Sequence, residues 1–241
     1  MSGPVLIGVD TACEQVHAVF TTRRGGAGAD PFSSLGLGAA NGDDPVAVRA
    51  NRGAVAQAAG FDASRAVALA QVHGADVVTH TGGWRGWLRG LGVDGHVTAT
   101  PGTALSVTVA DCTPVLVWHP RGGIAALHAG WRGTAARILD AGVSALEALG
   151  FPAEECNVWL GPAICGACYE VGPEVLSAVH GTCFDGKGYV DVRAVLAEQA
   201  RARRVARVTT ADGCSRCHRE RYFSHRAGDA GRMLGIVALE G

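Results

Sequence analysis

The chain has 241 residues, of which 48% are hydrophobic and 18% charged, so it can bury a sizeable core. Its formal net charge of −1 provides no electrostatic attraction to nucleic acid or to an anionic membrane, and neither is expected as a partner. There is no run of 18 apolar residues and no signal-peptide pattern, which predicts a cytoplasmic protein whose eight cysteines are reduced or metal-bound.

The first predicted element is a strand over residues 16–22, and a long polar connection follows it. Residues 23–44 are dominated by Gly, Ser, Asp and Asn, and loops of this length tend to be functional. Arg23 at the start of this segment and Asn41 near its end favour a functional loop that binds a ligand.

A helix is predicted from Asp44, an acidic cap followed by proline, to Gly60, a typical helix terminator. Arg52 lies beside the apolar face of this helix, where its head group either remains in water or points into a site. Residues 66–72 predict another strand. His73 follows at its end, directly before a glycine.

The central part of the chain holds two apolar runs, each with a residue that packing does not require. Residues 105–118 are rich in Val, Leu and Thr and predict one buried strand, with Cys112 inside it. Residues 124–127 predict a second strand, and His128 follows it. A helical pattern begins after the next turn and covers residues 134–149.

Further elements are predicted in the C-terminal part of the chain. They are a strand at 156–160, a helix at 173–180, a helix at 191–204, and strands at 205–209 and 233–239. Strands and helices are interspersed without regular βαβ alternation, which favours an α+β fold over a doubly wound parallel sheet. No linker divides the sequence, and we expect a single domain over residues 1–241.

His73, Cys112 and His128 lie in or at the ends of predicted strands and could therefore converge. Two histidines and one cysteine are a common zinc ligand set, and three protein ligands leave a fourth position for water or substrate. A buried thiol with two core histidines is the plain structural alternative. The same residues also fit a Cys–His hydrolase with Cys112 as nucleophile and His128 as base, which requires a thiolate that no metal binds.

Two C-x-x-C pairs, Cys165/Cys168 and Cys214/Cys217, suggest a structural Cys₄ zinc site. The gap between the pairs is much longer than the roughly 15–20 residues of zinc ribbons, so the spacing is a weak indication.

The turn at residues 130–133 offers a site for an anion. Backbone N–H groups at the start of the following helix, together with Arg132, suit phosphate binding. Arg23 and Arg52 are candidates to complete such a pocket.

Several stretches, in this order, resemble a known family. They read TTRRGG, LGLGAANGDDPVAVRANR, QVHGADVV, TALSVTVADCTPVLVW, AALHAGWRGTAARIL, GPAICGACYEVG and FSHRAGDAGRMLGIVAL. They are similar to the laccase-domain proteins long labelled multicopper polyphenol oxidases and now described as zinc-containing purine nucleoside phosphorylases.

The resemblance implies mixed β-sheets packed together and flanked by helices. It also implies phosphorolysis of adenosine, inosine and 5′-methylthioadenosine, with hydrolytic deamination of adenosine. The family's metal ligands correspond to His73, Cys112 and His128, which we expect to bind Zn²⁺. Cu²⁺ is a second candidate, because it outcompetes Zn²⁺ at most nitrogen and sulfur sites.

Other roles are inferred from position in the chain and not from the resemblance. Asp111 is expected to act as a proton carrier or an anchor beside a ligand, Arg132 to hold phosphate, and Asn41 to bind sugar or base. The family usually has Gly where this chain has Cys165, so the resemblance does not support a second metal site. The chain also departs from the family just after Arg226, so no substrate-binding role is assigned to that tail.

A true multicopper oxidase is not expected. Four coppers require about ten histidines, largely in H-x-H pairs. This chain has nine histidines and no H-x-H. Two further classes remain open at this point: the Cys–His hydrolase, and a metal-binding protein without catalytic activity.

Overall fold

The computed structural model describes residues 3–27, 35–38, 44–82, 88–89 and 92–241. Within these ranges the strands are β1 (Leu6–Val9), β2 (Val16–Thr21), β3 (Ala66–Ala68), β4 (Val77–His80), β5 (Leu88–Arg89), β6 (Gly95–Thr98), β7 (Ala104–Val109), β8 (Thr113–Trp118), β9 (Ile124–Ala129), β10 (Asn157–Leu160), β11 (Glu170–Val171), β12 (Gly188–Tyr189), β13 (Arg207–Thr210) and β14 (Met233–Leu239). The α-helices there are α1 (Pro45–Ala59), α2 (Trp131–Ala135), α3 (Ile138–Ala148), α4 (Pro173–His180) and α5 (Val192–Ala202).

Two mixed sheets form the centre of the fold. Among the described residues, one sheet has the order β1-β2-β14-β7-β3-β5 and the other the order β13-β10-β8-β9-β6-β4. Antiparallel pairs dominate, but β3 runs parallel to β7, and β10 runs parallel to β13. The α+β fold with mixed sheets packed together and flanked by helices is therefore confirmed.

The hydrophobic core lies in layers around these sheets. Side chains of β7, β8 and β14 meet between the two sheets, among them Leu105, Leu116 and Val237, all fully buried. A second cluster packs α3 and α5 onto the outer face of the second sheet, and a third packs α1 against the first sheet. No helix in the described ranges has the length and apolar character needed to span a membrane.

Local sequence signals placed α1 and β14 correctly. The Asp44 side chain accepts the N–H of Val46 at 3.0 Å, and Gly60 ends the helix at a φ of +74°. These are the capping and termination roles that the residue types predict. Strand β14 has the predicted bounds, because its seven residues are all buried and apolar patterning marks its full length.

The single strand predicted over residues 105–118 is wrong. The structure has two strands, β7 and β8, that belong to different sheets and are separated at residues 110–112. Asp111 adopts a φ of +82°, which turns the chain there. Both strands are buried, so the apolar pattern continues across the break and conceals it.

The single helix predicted over residues 134–149 is also wrong. The chain forms α2 and α3, separated at Arg137, which has a φ of +65°. In a continuous helix the carbonyl of Thr134 would accept the N–H of Ile138. Here that carbonyl accepts the N–H of Arg137 at 3.1 Å and the side-chain amide of Gln199 at 3.0 Å, and the helix stops and restarts.

The strand predicted over residues 66–72 is shorter than expected and ends at Ala68. Beyond it, the Gln71 side chain replaces the missing strand pairing. Its amide nitrogen donates to the Thr108 carbonyl at 2.7 Å, and its amide oxygen accepts the Thr108 N–H at 2.7 Å. This contact directs the backbone out of the sheet and towards His73.

Candidate metal centre

Three separate elements bring His73, Cys112 and His128 together, as their positions at strand ends predicted. His73 follows β3, Cys112 lies in the turn between β7 and β8, and His128 is near the end of β9. One ligand atom from each residue lies within 4.8 Å of the others. The two imidazole rings meet edge to face, with centroids 4.8 Å apart. Three ligand atoms at this spacing could hold a metal ion and would leave one coordination position open.

Asp94 organises two of these three residues. Its carboxylate is fully buried and lies 2.7 Å from Nδ1 of His128. The same carboxylate accepts the backbone N–H groups of Val72, His73 and Gly74 at 2.7–3.0 Å. Because Nδ1 of His128 faces Asp94, Nε2 remains for a metal, and the carboxylate–histidine pair is a common support for a metal ligand.

The backbone at the site is unusual in two places. His73 and Asp111 have φ values of +63° and +82°, a conformation that costs free energy for residues other than glycine. The three N–H bonds to Asp94 hold the first of these turns. His73, Asp111 and Cys112, which lie in these two turns, line the same cavity. The strained positions therefore coincide with the candidate site.

Gly130 leaves room for the ligands. A Cβ atom at this position would lie 3.1 Å from Sγ of Cys112 and 3.3 Å from Cδ2 of His73. Even an alanine would therefore press on both side chains. Glycine at this position keeps the space around the thiol and imidazole available.

The charges of Cys112, His128 and Asp94 are interdependent. Burial raises the pKa of the Cys112 thiol, but the charge of His128 and hydrogen bonds from both histidines outweigh it and lower the pKa to about 6. Burial lowers the pKa of His128, but Cys112 and Asp94 raise it to about 9. Burial likewise opposes ionisation of Asp94, whose hydrogen bonds nevertheless hold its pKa below the usual range. Cys112 is thus a thiolate at neutral pH, the form that binds a metal or attacks an electrophile.

Two cavities meet at this centre. One has a volume of about 470 Å³ and the other about 270 Å³, and His73, Ala110, Cys112 and His225 line both. Arg52 and Arg232 line the larger cavity, and Arg132 and Arg226 line the smaller one. Their combined size suits a small organic molecule, and the arginines favour an anionic group.

The family of the chain follows from comparison with known proteins. The model of the family described as multi-copper polyphenol oxidoreductase laccase matches residues 17–240. The chain belongs to this family. The resemblance seen in the sequence is thereby confirmed.

Named relatives of this laccase-family chain cover nearly its whole length. A purine nucleoside phosphorylase of Streptomyces griseus is 40% identical over 232 residues, covering 93% of this chain and 94% of the relative. A purine nucleoside phosphorylase of Deinococcus radiodurans is 36% identical, covering 92% and 88%. The crystal structure of YfiH from Bacillus licheniformis has a TM-score of 0.90 at 28% identity, covering 100% of this chain and 97% of that one.

The other residues proposed from the sequence are distributed unevenly. Arg132 and Asp111 line the smaller cavity, and Arg52 lines the larger one. Arg23 is held elsewhere: its guanidinium donates to the carbonyls of Arg219 and Tyr222 and lies 3.6 Å from the carboxylate of Asp229. Asn41 lies outside the described residues.

Several residues at the site were not identified from the sequence. They are Asp94, Tyr169, His225, Arg226 and Arg232. Three of these belong to the C-terminal tail to which no role had been assigned. Residue type was the only sequence feature that could have indicated these residues. Asp94 directly precedes a strand, and the FSHR segment places polar residues beside an apolar run.

Proposed function

We propose that this chain is a zinc-dependent purine nucleoside phosphorylase, acting on adenosine, inosine and 5′-methylthioadenosine, that also deaminates adenosine in the cytoplasm. The observation that carries the proposal is the position of the His73, Cys112 and His128 trio at the meeting point of two cavities. Full-length relatives named purine nucleoside phosphorylase support the choice of substrate class.

The residues present fit a zinc ion. A thiolate and two imidazoles are zinc's usual donors, Asp94 orients one imidazole, and Gly130 leaves the space that a side chain would fill. When bound, zinc supplies a Lewis acid and acidifies water at its open position, which is the chemistry that adenosine deamination requires. Copper binds the same donors, but one trio and nine histidines do not supply the ligands of a multicopper oxidase.

Arg132 is the proposed phosphate ligand. Its guanidinium stacks on the Trp131 ring at 4.2 Å, and within the described ranges it makes no ion pair or side-chain hydrogen bond. It is exposed on the wall of the smaller cavity, next to His73 and Cys112. A guanidinium held by stacking alone keeps all its donors for a bidentate phosphate contact.

The remaining arginines have more contacts within the protein. Arg226 donates to the Glu170 carbonyl at 2.9 Å, and Arg232 donates to carbonyls of its own turn. Arg52 donates to the Leu37 carbonyl at 3.1 Å and lines the larger cavity, so we assign it to the nucleoside end. Arg23 is left out of the phosphate site, because the 219–229 segment engages its guanidinium.

Asp111 is proposed to position the cavity wall rather than to carry a proton. One carboxylate oxygen accepts the Ser215 hydroxyl at 2.5 Å, and the other accepts the backbone N–H of Arg226 at 2.6 Å. Both oxygens are thus engaged in contacts that hold the wall together. This contact attaches the turn that carries Cys112 to the C-terminal tail.

Replacing Arg132 with alanine is expected to raise the KM for phosphate about 10- to 100-fold, the loss of one charge-assisted contact worth about 1.5–3 kcal/mol. The KM for nucleoside and any phosphate-independent deamination should change little. Steady-state kinetics with varied phosphate measure the effect. Arg121→Ala, which removes an exposed arginine away from both cavities, is the matched control. Unchanged phosphate dependence in Arg132→Ala would remove this residue from the site.

The direct test is to purify the chain without a metal-affinity tag, measure its metal content, and incubate it with adenosine with and without phosphate. Phosphate-dependent release of adenine with ribose 1-phosphate is the expected result. Inosine formed without phosphate would establish the deaminase activity. A chain that binds zinc but converts no nucleoside under either condition would refute the proposed activity.

The Cys–His hydrolase is the second candidate, and one observation favours it. Cys112 is a thiolate next to a protonated His128 that Asp94 orients, which is the arrangement of an activated cysteine nucleophile. The two functions respond oppositely to chelation. Removing the metal should abolish phosphorolysis, whereas it would expose the Cys112 thiolate and leave a cysteine hydrolase active.

A further inference from the structure

A second group of thiols lies outside the site described above. The pairs Cys165/Cys168 and Cys214/Cys217, almost fifty residues apart in the chain, come together in space. The first pair lies in the turn after β10, and the second lies in the turn after β13. These strands are parallel neighbours, so their ends bring both turns to the same edge of the second sheet.

The four sulfur atoms have the spacing of a metal site. All lie within 4.8 Å of one another, and the Sγ atoms of Cys168 and Cys217 are 3.4 Å apart. Four sulfurs placed tetrahedrally about zinc, with Zn–S bonds of about 2.3 Å, are separated by about 3.8 Å. The cluster therefore needs little rearrangement to enclose one ion.

The backbone around Cys214 also suits a thiolate. Sγ of Cys214 accepts the N–H of Cys165 at 3.3 Å, and the N–H groups of Arg216 and Cys217 also interact with it. Such N–H contacts stabilise negative charge on sulfur. The two turns are joined by an isolated bridge between Ala163 and Cys214, in which the Ser215 N–H donates to the Ala163 carbonyl at 3.1 Å.

We propose that Cys165, Cys168, Cys214 and Cys217 bind one structural zinc ion. Four thiolates close the coordination sphere, which leaves no position for water or substrate and distinguishes this site from the three-ligand centre at His73. A tetrahedral set of four thiolates prefers zinc among divalent cations available to a protein, with iron as the main competitor.

The ion would hold the wall of the smaller cavity. Ser215, between the two cysteines of the second pair, donates to Asp111, and Arg216 donates to the Cys168 carbonyl at 3.0 Å. Asp111 in turn precedes Cys112. The structural zinc is thus linked to Cys112 through Ser215 and Asp111. It stabilises the geometry of the candidate catalytic centre without lining the cavity.

The experiment is metal analysis of four purified chains: wild type, Cys112→Ala, Cys168→Ser/Cys217→Ser, and Cys183→Ser. Two zinc ions per chain are expected in the wild type, one in Cys112→Ala and one in the double variant. Cys183 is exposed and belongs to neither cluster, so Cys183→Ser should retain two. The readout is metal content, so the result stands whether or not the chain cleaves nucleosides.

A second measurement keeps the test valid if the double variant does not fold. Cobalt added to metal-free Cys112→Ala chains should give the visible absorption and sulfur-to-cobalt charge transfer of a tetrahedral tetrathiolate site. In the native wild type, these four thiols should resist alkylation until a chelator is added. A double variant that retains as much zinc as the wild type, iron in place of zinc, rapid alkylation of all four thiols, or a Cys168–Cys217 disulfide found by peptide mapping would each overturn the proposal.

Discussion

Replacing Cys112 with alanine is expected to remove one metal ion per chain and to lower kcat/KM for phosphorolysis about a thousandfold or more. The trio would supply three ligands, and the two histidines left in the variant would bind zinc weakly. A metal acting as Lewis acid contributes several kcal/mol to the transition state, and about 4 kcal/mol corresponds to about a thousandfold in rate. Metal analysis and nucleoside kinetics on the same preparation measure both effects.

Cys183→Ala is the matched control for this substitution, because Cys183 is exposed and outside both thiol clusters. It should retain the metal and the activity of the wild type. Cys112→Ala that keeps its metal but loses activity would show that Cys112 acts in catalysis and is not needed to bind the metal. If it kept both metal and activity, the trio would not be the functional centre. Circular dichroism and thermal unfolding should show that the variant is folded, since alanine is small and the turn is held through Asp111.

Asp94→Asn is expected to weaken metal binding about 10- to 100-fold, as is typical when the partner of a ligating histidine is lost. The carboxylate accepts four N–H groups, from His128 and from the 72–74 turn. The asparagine amide has one accepting oxygen and one donating NH₂ group. In one arrangement the NH₂ group faces an N–H donor of the 72–74 turn. In the other it donates to Nδ1 of His128, and the imidazole proton moves to Nε2. The first leaves a buried donor unpaired at a cost of about 1–3 kcal/mol, and the second blocks the metal-binding nitrogen.

Zinc competition against a chromophoric chelator measures this affinity, and urea unfolding of the metal-free chains measures the separate cost in stability. The control is Asp76→Asn, an exposed aspartate in the segment just after the same turn. It should change neither quantity appreciably. An Asp94→Asn chain with unaltered zinc affinity would show that His128 does not need the carboxylate to bind metal.

Elements with local chemical signals were predictable without the structure. Helix α1 follows from a cap at Asp44 and a left-handed terminator at Gly60, both of which act on adjacent backbone groups. The break at Asp111 was not predictable, because β7 and β8 are both buried and their apolar patterns join across the turn. The division of α2 from α3 likewise includes a contact from a distant part of the chain, the bond from Gln199 to the Thr134 carbonyl.

The candidate site also contains residues that the sequence predicted and residues that it did not. His73, Cys112 and His128 stood out in the sequence as chemically reactive residues at the ends of apolar runs, and the structure brings them together. Asp94 carried no such signal, because its importance lies in four hydrogen bonds that form only when β6, β9 and the turn after β3 are assembled.

The α+β class, the family motifs and the choice of His73, Cys112 and His128 as candidate metal ligands came from the sequence, since composition, capping and motif identity are properties of neighbouring residues. Only the tertiary structure decided which polar groups share a cavity and that Cys165 and Cys168 meet Cys214 and Cys217. Contacts between residues that lie so far apart in the chain depend on how the sheets pair and pack. The pairing of the strands depends on burial of the whole core, so no local sequence pattern predicts it.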